Sequence, residues 1–175
     1  MQRPEQDALY AEVNTAYRAT MSRLARGYEA DPERRRDLLQ EIHMELWRSL
    51  KIFDHRCSIR TWVYRIANNV GASHIARSRT AAARLVDLET LDTEPAAMDG
   101  EAQADRQYSA TKMLGLIHQL KPLDRQIILL YLEGEAAGPI AEATGLSASN
   151  VATKVHRIRK LLTRQCVAGE SHARK

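Results

Sequence analysis

Apolar residues recur at helical spacing through most of the chain, and this periodicity is the feature that most limits its fold. Leu38, Ile42 and Leu46, for example, lie four residues apart and therefore on one face of a helix. No segment sustains the alternation of apolar and polar residues that a half-buried strand requires. The sequence therefore predicts an all-α fold.

Charge divides the 175-residue chain into three parts. Residues 1–80 carry 14 basic and 10 acidic side chains, residues 81–110 carry 2 and 7, and residues 111–175 carry 10 and 5. The acidic part contains Pro95 and Gly100 and has little apolar periodicity, so it is predicted to be a flexible linker, with a surface segment of a single domain as the alternative. The linker at 81–110 would join two small helical domains, residues 1–80 and 111–175.

Composition argues against several classes of protein. The longest nearly apolar run, from Ile127 to Leu132, is far shorter than the roughly 20 residues of a membrane span, and the charged N-terminus does not resemble a signal peptide. Cys57 and Cys166 are too few for a disulfide framework, which favours a cytoplasmic location. No histidine pair lies near the cysteines and no catalytic arrangement is evident, so we expect no metal, no cofactor and no enzymatic activity.

The first basic block begins with a helix that carries an acidic stripe. Asp31 and Pro32 are typical of a helix start. Asp37, Glu41 and Glu45 then recur at intervals of four along one flank. Such a stripe is either a solvated face or a docking surface for a basic partner helix.

A stretch of 32 residues without an acid, from His55 to Val86, surrounds the next predicted helix. Ser58 is a credible N-cap for this helix, which is predicted to run from Ile59 to about Arg79. An acid-free basic surface is suited to phosphate. Trp62 is either a core residue or a stacking surface for a base. The side of the helix opposite its apolar residues presents Arg60, Thr61, Tyr64, Arg65 and Asn68, with Asn69 at its edge.

The second basic block has the layout of a helix-turn-helix. Pro139 is predicted to open a short helix that stops at Gly145, and Ser147 to cap a long helix from about Ala148 to Gln165. No acid occurs between Ala143 and Ala168. A recognition helix for DNA is the favoured interpretation, with a solvated face or a membrane-surface helix as alternatives. One side of the long helix is polar and basic, with Ser149, Thr153, His156, Lys160 and Arg164, and Arg157 adjoining.

Both blocks resemble bacterial sigma factors of the extracytoplasmic-function group, which is group IV of the sigma-70 family. The first match consists of Asp37-Leu38, Gln40-Glu41, Trp47, Phe53-Asp54, Thr61-Trp62, Tyr64-Arg65-Ile66-Ala67 and Asn69. The second consists of Leu120, Pro122, Asp124-Arg125, Tyr131-Leu132-Glu133-Gly134, Ile140-Ala141, Gly145-Leu146-Ser147, Val151 through Arg157, and Arg159. The two segments occur in the order that the family has.

This resemblance implies three sets of site residues. The core-polymerase contact, on the clamp helices of the beta-prime subunit, would comprise Asp37, Gln40, Glu41, Met44, Glu45, Trp47 and Arg48. The minus-10 element would be bound by Arg56, Ser58, Arg60, Arg65, Asn68, Asn69, Ser73 and Arg77, with Arg56 and Ser58 in a loop that receives a flipped base. The minus-35 element would be bound by Ser149, Asn150, Ala152, Thr153, Lys154, His156, Arg157 and Lys160.

The function implied is that of a transcription initiation factor. Such a factor binds core RNA polymerase, here also at the beta flap, directs it to promoters through both elements and promotes DNA melting. The implied partners are core RNA polymerase, promoter DNA and an anti-sigma factor, with no small-molecule substrate and no insertion into a membrane. The alternative is a stand-alone helix-turn-helix regulator, which explains the second block but leaves the acid-free stretch and Trp47 and Trp62 without a role.

Overall fold

The computed structural model describes residues 3–85 and 103–172, with side chains from 3 to 78 and from 110 to 164. These ranges contain helices and no strand, which confirms the all-α prediction. Pro95 and Gly100, on which the linker prediction depends, lie outside the described residues. The helices are α1 (Arg3–Tyr28), α2 (Pro32–Leu50), α3 (Ile59–Leu85), α4 (Gln103–Gln119), α5 (Pro122–Leu132), α6 (Ala137–Thr144) and α7 (Ala148–His172).

Side-chain caps start three of these helices where the sequence predicts them. Asp31 Oδ1 accepts hydrogen bonds from the backbone nitrogens of the second and third residues of α2, at 3.0 and 2.8 Å. Ser58 Oγ accepts from Thr61 N at 3.0 Å, and Ser147 Oγ accepts from Asn150 N at 3.2 Å. Each cap satisfies a backbone N–H that has no partner within its helix.

Other helix ends differ from the prediction. α3 continues to Leu85 because Ala81 to Ala83 are strong helix formers, and α4 begins at Gln103, so both ends of the predicted linker are helical. α7 likewise continues past Gln165 to His172. α6 begins two residues before Pro139, which the helix tolerates because a first-turn N–H has no intrahelical acceptor to lose.

The first domain is a bundle of α1, α2 and α3. The predicted apolar face of α2 is buried as expected, with Leu38, Ile42, Leu46 and Leu50 all at most 1% exposed. α3 passes so close to α1 that a Cβ added at Gly71 would lie 2.4 Å from the ring of Tyr28. This close approach explains why a glycine stands inside α3.

The second domain is built from α4 to α7, and its buried apolar residues continue the core of the first domain. Its buried side chains include Ile117, Ile127, Ile128, Leu130, Ile140, Val151, Val155, Ile158 and Leu162. Gly145 ends α6 in the left-handed region, at φ 73°, so that the chain turns into α7. The α6–turn–α7 pair is the helix-turn-helix that the sequence predicts.

The two domains pack directly against each other. A Cβ added at Gly27 in α1 would lie 2.3 Å from Cδ2 of Leu129 in α5. His118 Nε2 donates to the backbone oxygen of Arg26 at 2.9 Å, and Arg125 Nη1 donates to that of Tyr28 at 3.2 Å. Burial at this contact lowers the pKa of His118, which favours its neutral form.

Candidate nucleic-acid interface

The face of α2 predicted to contact polymerase is open to solvent. Asp37, Gln40, Met44 and Arg48 are exposed, and they follow one another at intervals of three or four residues along the helix. Glu45 is partly exposed and pairs with Arg48 at 2.6 Å, an ordinary contact within one helix. These side chains form one continuous surface of mixed charge.

Trp47 occupies a different environment, beneath the start of α1. Its Nε1 donates to Asp7 Oδ1 at 2.8 Å, and its backbone oxygen accepts from Gln6 Nε2 at 2.6 Å. Nearby, Tyr10 Oη and His43 Nδ1 lie 2.9 Å apart, and burial lowers the pKa of His43. Trp47 therefore joins α1 to α2 at the edge of the predicted polymerase surface.

The loop between α2 and α3 forms one wall of a largely apolar groove of about 510 Å³, whose other wall is α1. Phe53 lies between two other rings, with centroid distances of 4.4 Å to His55 and 5.2 Å to Trp62. Arg56 projects into solvent and pairs with Asp54 at 3.1 Å. The predicted base-receiving loop is thus a turn with tilted aromatic contacts and an exposed arginine.

Four candidate minus-10 residues form a stripe along α3. Arg65, Asn69, Ser73 and Arg77 lie four residues apart, and all four are at least partly exposed. The guanidinium of Arg65 lies 4.5 Å from the ring centroid of Trp62, and Arg77 makes two hydrogen bonds to the Glu41 carboxylate, at 2.6 and 2.8 Å. The last contact joins the minus-10 stripe to the predicted polymerase surface.

The prediction that Asn68 lies on the exposed side of α3 is wrong. Asn68 is completely buried: its Oδ1 accepts from Tyr28 Oη at 2.6 Å and its Nδ2 donates to Tyr64 O at 2.7 Å. Thr61 and Tyr64, predicted on the same side, are also buried. α3 packs against α1 and α2 and also contacts the second domain, so more than one of its sides is covered. Asn68 therefore cannot contact DNA from this position.

Trp62 is a core residue, as one of the two interpretations had it. The side chain is 8% exposed, and its Nε1 donates to Ser49 Oγ at 2.9 Å. The indole is covered on one face by the guanidinium of Arg65. Any stacking surface for a base would have to come from another ring, and Phe53 and His55 are the aromatic residues of the adjoining loop.

The candidate minus-35 residues lie on the exposed side of α7, and two of them pair with the same carboxylate. Lys154 Nζ lies 2.7 Å from Asp124 Oδ1, and Arg157 Nη2 lies 3.7 Å from Oδ2 of the same group. The sequence pattern does not identify Asp124 in this role, because a separation of 30 residues gives no periodic signal. The exposed members are Ser149, Asn150, Ala152, Thr153, His156, Arg157 and Lys160.

Arg60 points away from the α3 stripe and towards the second domain. Its Nε donates to Glu135 Oε1 at 2.5 Å, and its Nη2 donates to the backbone oxygen of Glu133 at 3.0 Å. Arg23 of α1 joins the same contact. Arg23 and the two glutamates were not among the predicted site residues, and nothing in the sequence pattern pairs residues so far apart.

The part of the chain that the structure describes contains neither a candidate metal site nor a membrane-spanning helix. No group of three or more His, Cys, Asp or Glu side chains is placed to hold a metal ion. No helix in that part is long and apolar enough to cross a membrane.

Two family models match the chain, one in each domain. The model described as Sigma-70 region 2 matches residues 15–80, and that described as Sigma-70, region 4 matches residues 111–162. Together they cover more than half of the chain, and the unmatched segment between them, residues 81–110, is the acidic part.

Two sigma factors from Bacillus subtilis (strain 168) are similar to the chain in sequence. The ECF RNA polymerase sigma factor SigW is 26% identical over 171 residues, which cover 92% of this chain and 90% of that protein. The ECF RNA polymerase sigma factor SigX is 26% identical over 136 residues, which cover 75% and 70%.

Two solved structures are similar in fold across both domains. One is CnrH in complex with the cytosolic domain of CnrY, with a TM-score of 0.66, 16% identity, and coverage of 93% of this chain and 90% of that one. The other is the sigma factor RpoE in complex with the anti-sigma factor NepR from Bartonella quintana, with the same TM-score and identity and coverage of 91% and 96%. At this identity the likeness concerns the fold.

Proposed function

Because the chain belongs to the sigma-70 family, as a sigma factor of the extracytoplasmic-function group, we propose that its two domains divide promoter recognition between α3 and α7. An alternative sigma factor of this kind initiates transcription by binding core RNA polymerase and promoter DNA. The stand-alone regulator would account for the match at 111–162 but not for the match at 15–80. We further propose that the chain performs no catalytic step and acts in the cytoplasm, where core polymerase is.

The observation that carries this proposal is the presence of an exposed basic helix face in each domain. On α3 the stripe of Arg65, Asn69, Ser73 and Arg77 combines guanidinium groups with small polar side chains. Guanidinium groups bind backbone phosphates, and amide or hydroxyl groups can reach base edges or riboses. We assign this stripe, with Arg56 of the adjoining loop, to the minus-10 element.

The exposed side of α7 is suited to a major groove. Its N-terminal turns carry small or polar side chains, including Ala152 and Thr153, while His156, Arg157 and Lys160 follow further along. Small residues allow the helix to approach the bases closely, and the cations hold the flanking phosphates. We assign this side to the minus-35 element.

The polymerase contact is assigned to the exposed face of α2. Asp37, Gln40, Met44 and Arg48 follow the spacing by which one helix packs along another. Met44 is an exposed apolar side chain among charged neighbours, which is typical of a docking surface. This face lies on a different helix from either DNA surface.

A regulatory partner is also proposed. CnrH and RpoE are each seen in complex with another protein, and in the second case that protein is an anti-sigma factor. We propose that this chain is likewise held by an anti-sigma factor until a signal releases it.

Transcription from linear templates with purified core polymerase tests the proposed function. The full chain should direct promoter-specific transcripts from a broad genomic promoter pool and should bind core polymerase on a column. Failure of both would contradict the proposal. DNA binding with promoter selectivity in the absence of polymerase, without any such transcript, would instead favour the stand-alone regulator.

The division between domains is tested with one substitution in each. Arg157→Ala should weaken minus-35 recognition about tenfold, as expected for the loss of one contact worth about 1–3 kcal/mol, while core affinity is unchanged. Asp37→Ala should weaken core binding and leave minus-35 affinity unchanged. Loss of core binding in the Arg157 variant would contradict the assignment.

A further inference from the structure

Two arginines of the first domain hold two carboxylates of the second. Arg23 Nε and Nη2 donate to the two carboxylate oxygens of Glu133 at 2.7 and 2.6 Å, in the paired geometry by which a guanidinium binds a planar anion. Arg60 Nε donates to Glu135 at 2.5 Å, and the hydroxyl of Tyr64 lies 3.5 Å from the Glu133 carboxylate. The contact joins α1 and α3 to the turn between α5 and α6.

The carboxylates are covered in this contact, whereas the arginines are not. The side chains of Glu133 and Glu135 are 10% and 8% exposed, but those of Arg23 and Arg60 are 58% and 48% exposed. Exposed surface ion pairs contribute little, whereas charge-assisted hydrogen bonds to a partly desolvated carboxylate are stronger. Arg23 and Arg60 therefore form a basic notch in which the carboxylates of Glu133 and Glu135 are bound.

The turn is shaped so that both carboxylates face the notch. Gly134, between the two glutamates, has φ 84°, a left-handed conformation that other residues rarely adopt. The backbone oxygen of Glu133 also accepts from Arg60, so the turn is held by its main chain as well as by its side chains. We call residues 133–135 the acidic turn, and Arg23, Arg60 and Tyr64 the arginine notch.

The notch lies at the start of α3, next to the loop whose Arg56 is assigned to the minus-10 element. Arg60 is in the first turn of α3, within the 32-residue stretch that has no acid of its own. The carboxylate that Arg60 binds, Glu135, is therefore 75 residues away, in the other domain. A guanidinium fork binds phosphate oxygens in the same way as carboxylate oxygens.

We propose that the arginine notch is a binding site for the phosphates of the promoter strand, and that the acidic turn occupies it in the free chain in place of DNA. The proposal rests on the proposed function, because it presupposes that the first domain binds promoter DNA. The acidic turn and the strand compete for the same donors. The packed arrangement of the domains is therefore a low-affinity state for DNA, and a partner that separates the domains exposes the notch.

The test measures binding of a fluorescent single-stranded promoter oligonucleotide to the full chain without polymerase, by anisotropy. The double variant Glu133→Gln with Glu135→Gln should bind at least about fivefold more tightly than the unmodified chain, because the amides hold the notch less strongly than carboxylates. The matched control is Glu33→Gln with Glu142→Gln, which removes the same charge from two exposed positions outside the notch. It should raise affinity less than about twofold, as expected for a screened long-range effect.

A second comparison tests whether the gain in DNA affinity depends on the arginines of the notch. Adding Arg60→Gln to the double variant should abolish most of the gain and reduce the slope of log affinity against log salt by about one. Equal gains in the double variant and the control would overturn the proposal, since net charge alone would explain both. A gain that survives both Arg60→Gln and Arg23→Gln would also overturn it.

Transcription with core polymerase separates this proposal from the proposed function. If the unmodified chain directs promoter-specific transcripts but the double variant binds DNA no better than the control pair, only the competition at the notch is disproved. If no form of the chain directs transcription, the proposed function fails, and the phosphate assignment fails with it.

Discussion

The amide of Asn68 is buried where α1 meets α3, and both of its polar groups have partners. The Tyr28 hydroxyl donates to its oxygen, and its nitrogen donates to the backbone oxygen of Tyr64. Burial raises the pKa of Tyr28, so this phenol stays protonated and continues to donate. A buried hydroxyl left without an acceptor would cost more than the bond itself contributes.

Asn68→Ala should therefore destabilise the first domain by about 1–3 kcal/mol. Urea unfolding followed by tryptophan fluorescence measures this domain, because Trp47 and Trp62 both lie in it. The control is the exposed neighbour Asn69→Ala, which should change the free energy of unfolding by less than about 0.5 kcal/mol and weaken minus-10 binding. Equal destabilisation by both variants would contradict the buried role of Asn68.

Asn68 and Trp62 show what helical periodicity can and cannot predict for a single residue. Trp62 falls on the apolar side of α3 and is in the core, as one interpretation proposed. Asn68 falls on the polar side yet is completely buried, because α3 is covered on more than one side. Periodicity assumes a single buried face, and it misplaces residues where a helix has two.

At the scale of elements, the starts of α2, α3 and α7 were predictable because the chemistry of their caps is local. Asp31 and Ser58 act within three residues of themselves, so the sequence contains both donor and acceptor. The ends of α3 and α7 were predicted too early, because several favourable residues prolong a helix without any single signal. α6 begins before Pro139 because a proline in a first turn is not a barrier.

The cap of α2 provides a test at this scale. Asp31→Ala removes two hydrogen bonds at the helix start and should lower the free energy of unfolding of the first domain by about 1 kcal/mol. Asp37→Ala, an exposed position within the same helix, should leave stability within about 0.5 kcal/mol. Urea unfolding of both variants measures the difference. Identical midpoints for the two would show that the cap contributes nothing.

At the scale of the whole molecule, the contact between the domains was not predictable. It joins Arg23 to Glu133 and Arg60 to Glu135, side chains separated by 110 and 75 residues, and neither pair follows a period or a motif. The charge partition did indicate two basic blocks separated by acids, but not that acids of the second block would cover arginines of the first. Such a contact depends on how finished domains fit together, which local sequence does not encode.

Gly27 allows the packed arrangement to be perturbed without removing any charged group. Gly27→Ala places a methyl group 2.3 Å from Leu129 Cδ2 and 2.8 Å from Cδ1, so either Leu129 or the whole second domain must move. Alanine is the better helix former by up to about 1 kcal/mol, so the first domain alone is not expected to lose stability. The substitution should therefore loosen the domain contact while the helices remain intact.

Small-angle X-ray scattering of the full chain should show a larger radius of gyration for Gly27→Ala, with an unchanged circular dichroism spectrum. The free chain should also bind single-stranded promoter DNA more tightly, because the arginine notch is uncovered when the domains separate. Gly115→Ala is the matched control: this glycine also lies in a helix, but a Cβ there meets nothing within 4 Å. A larger radius of gyration without tighter DNA binding would mean that packing of the domains does not limit access of DNA to the notch.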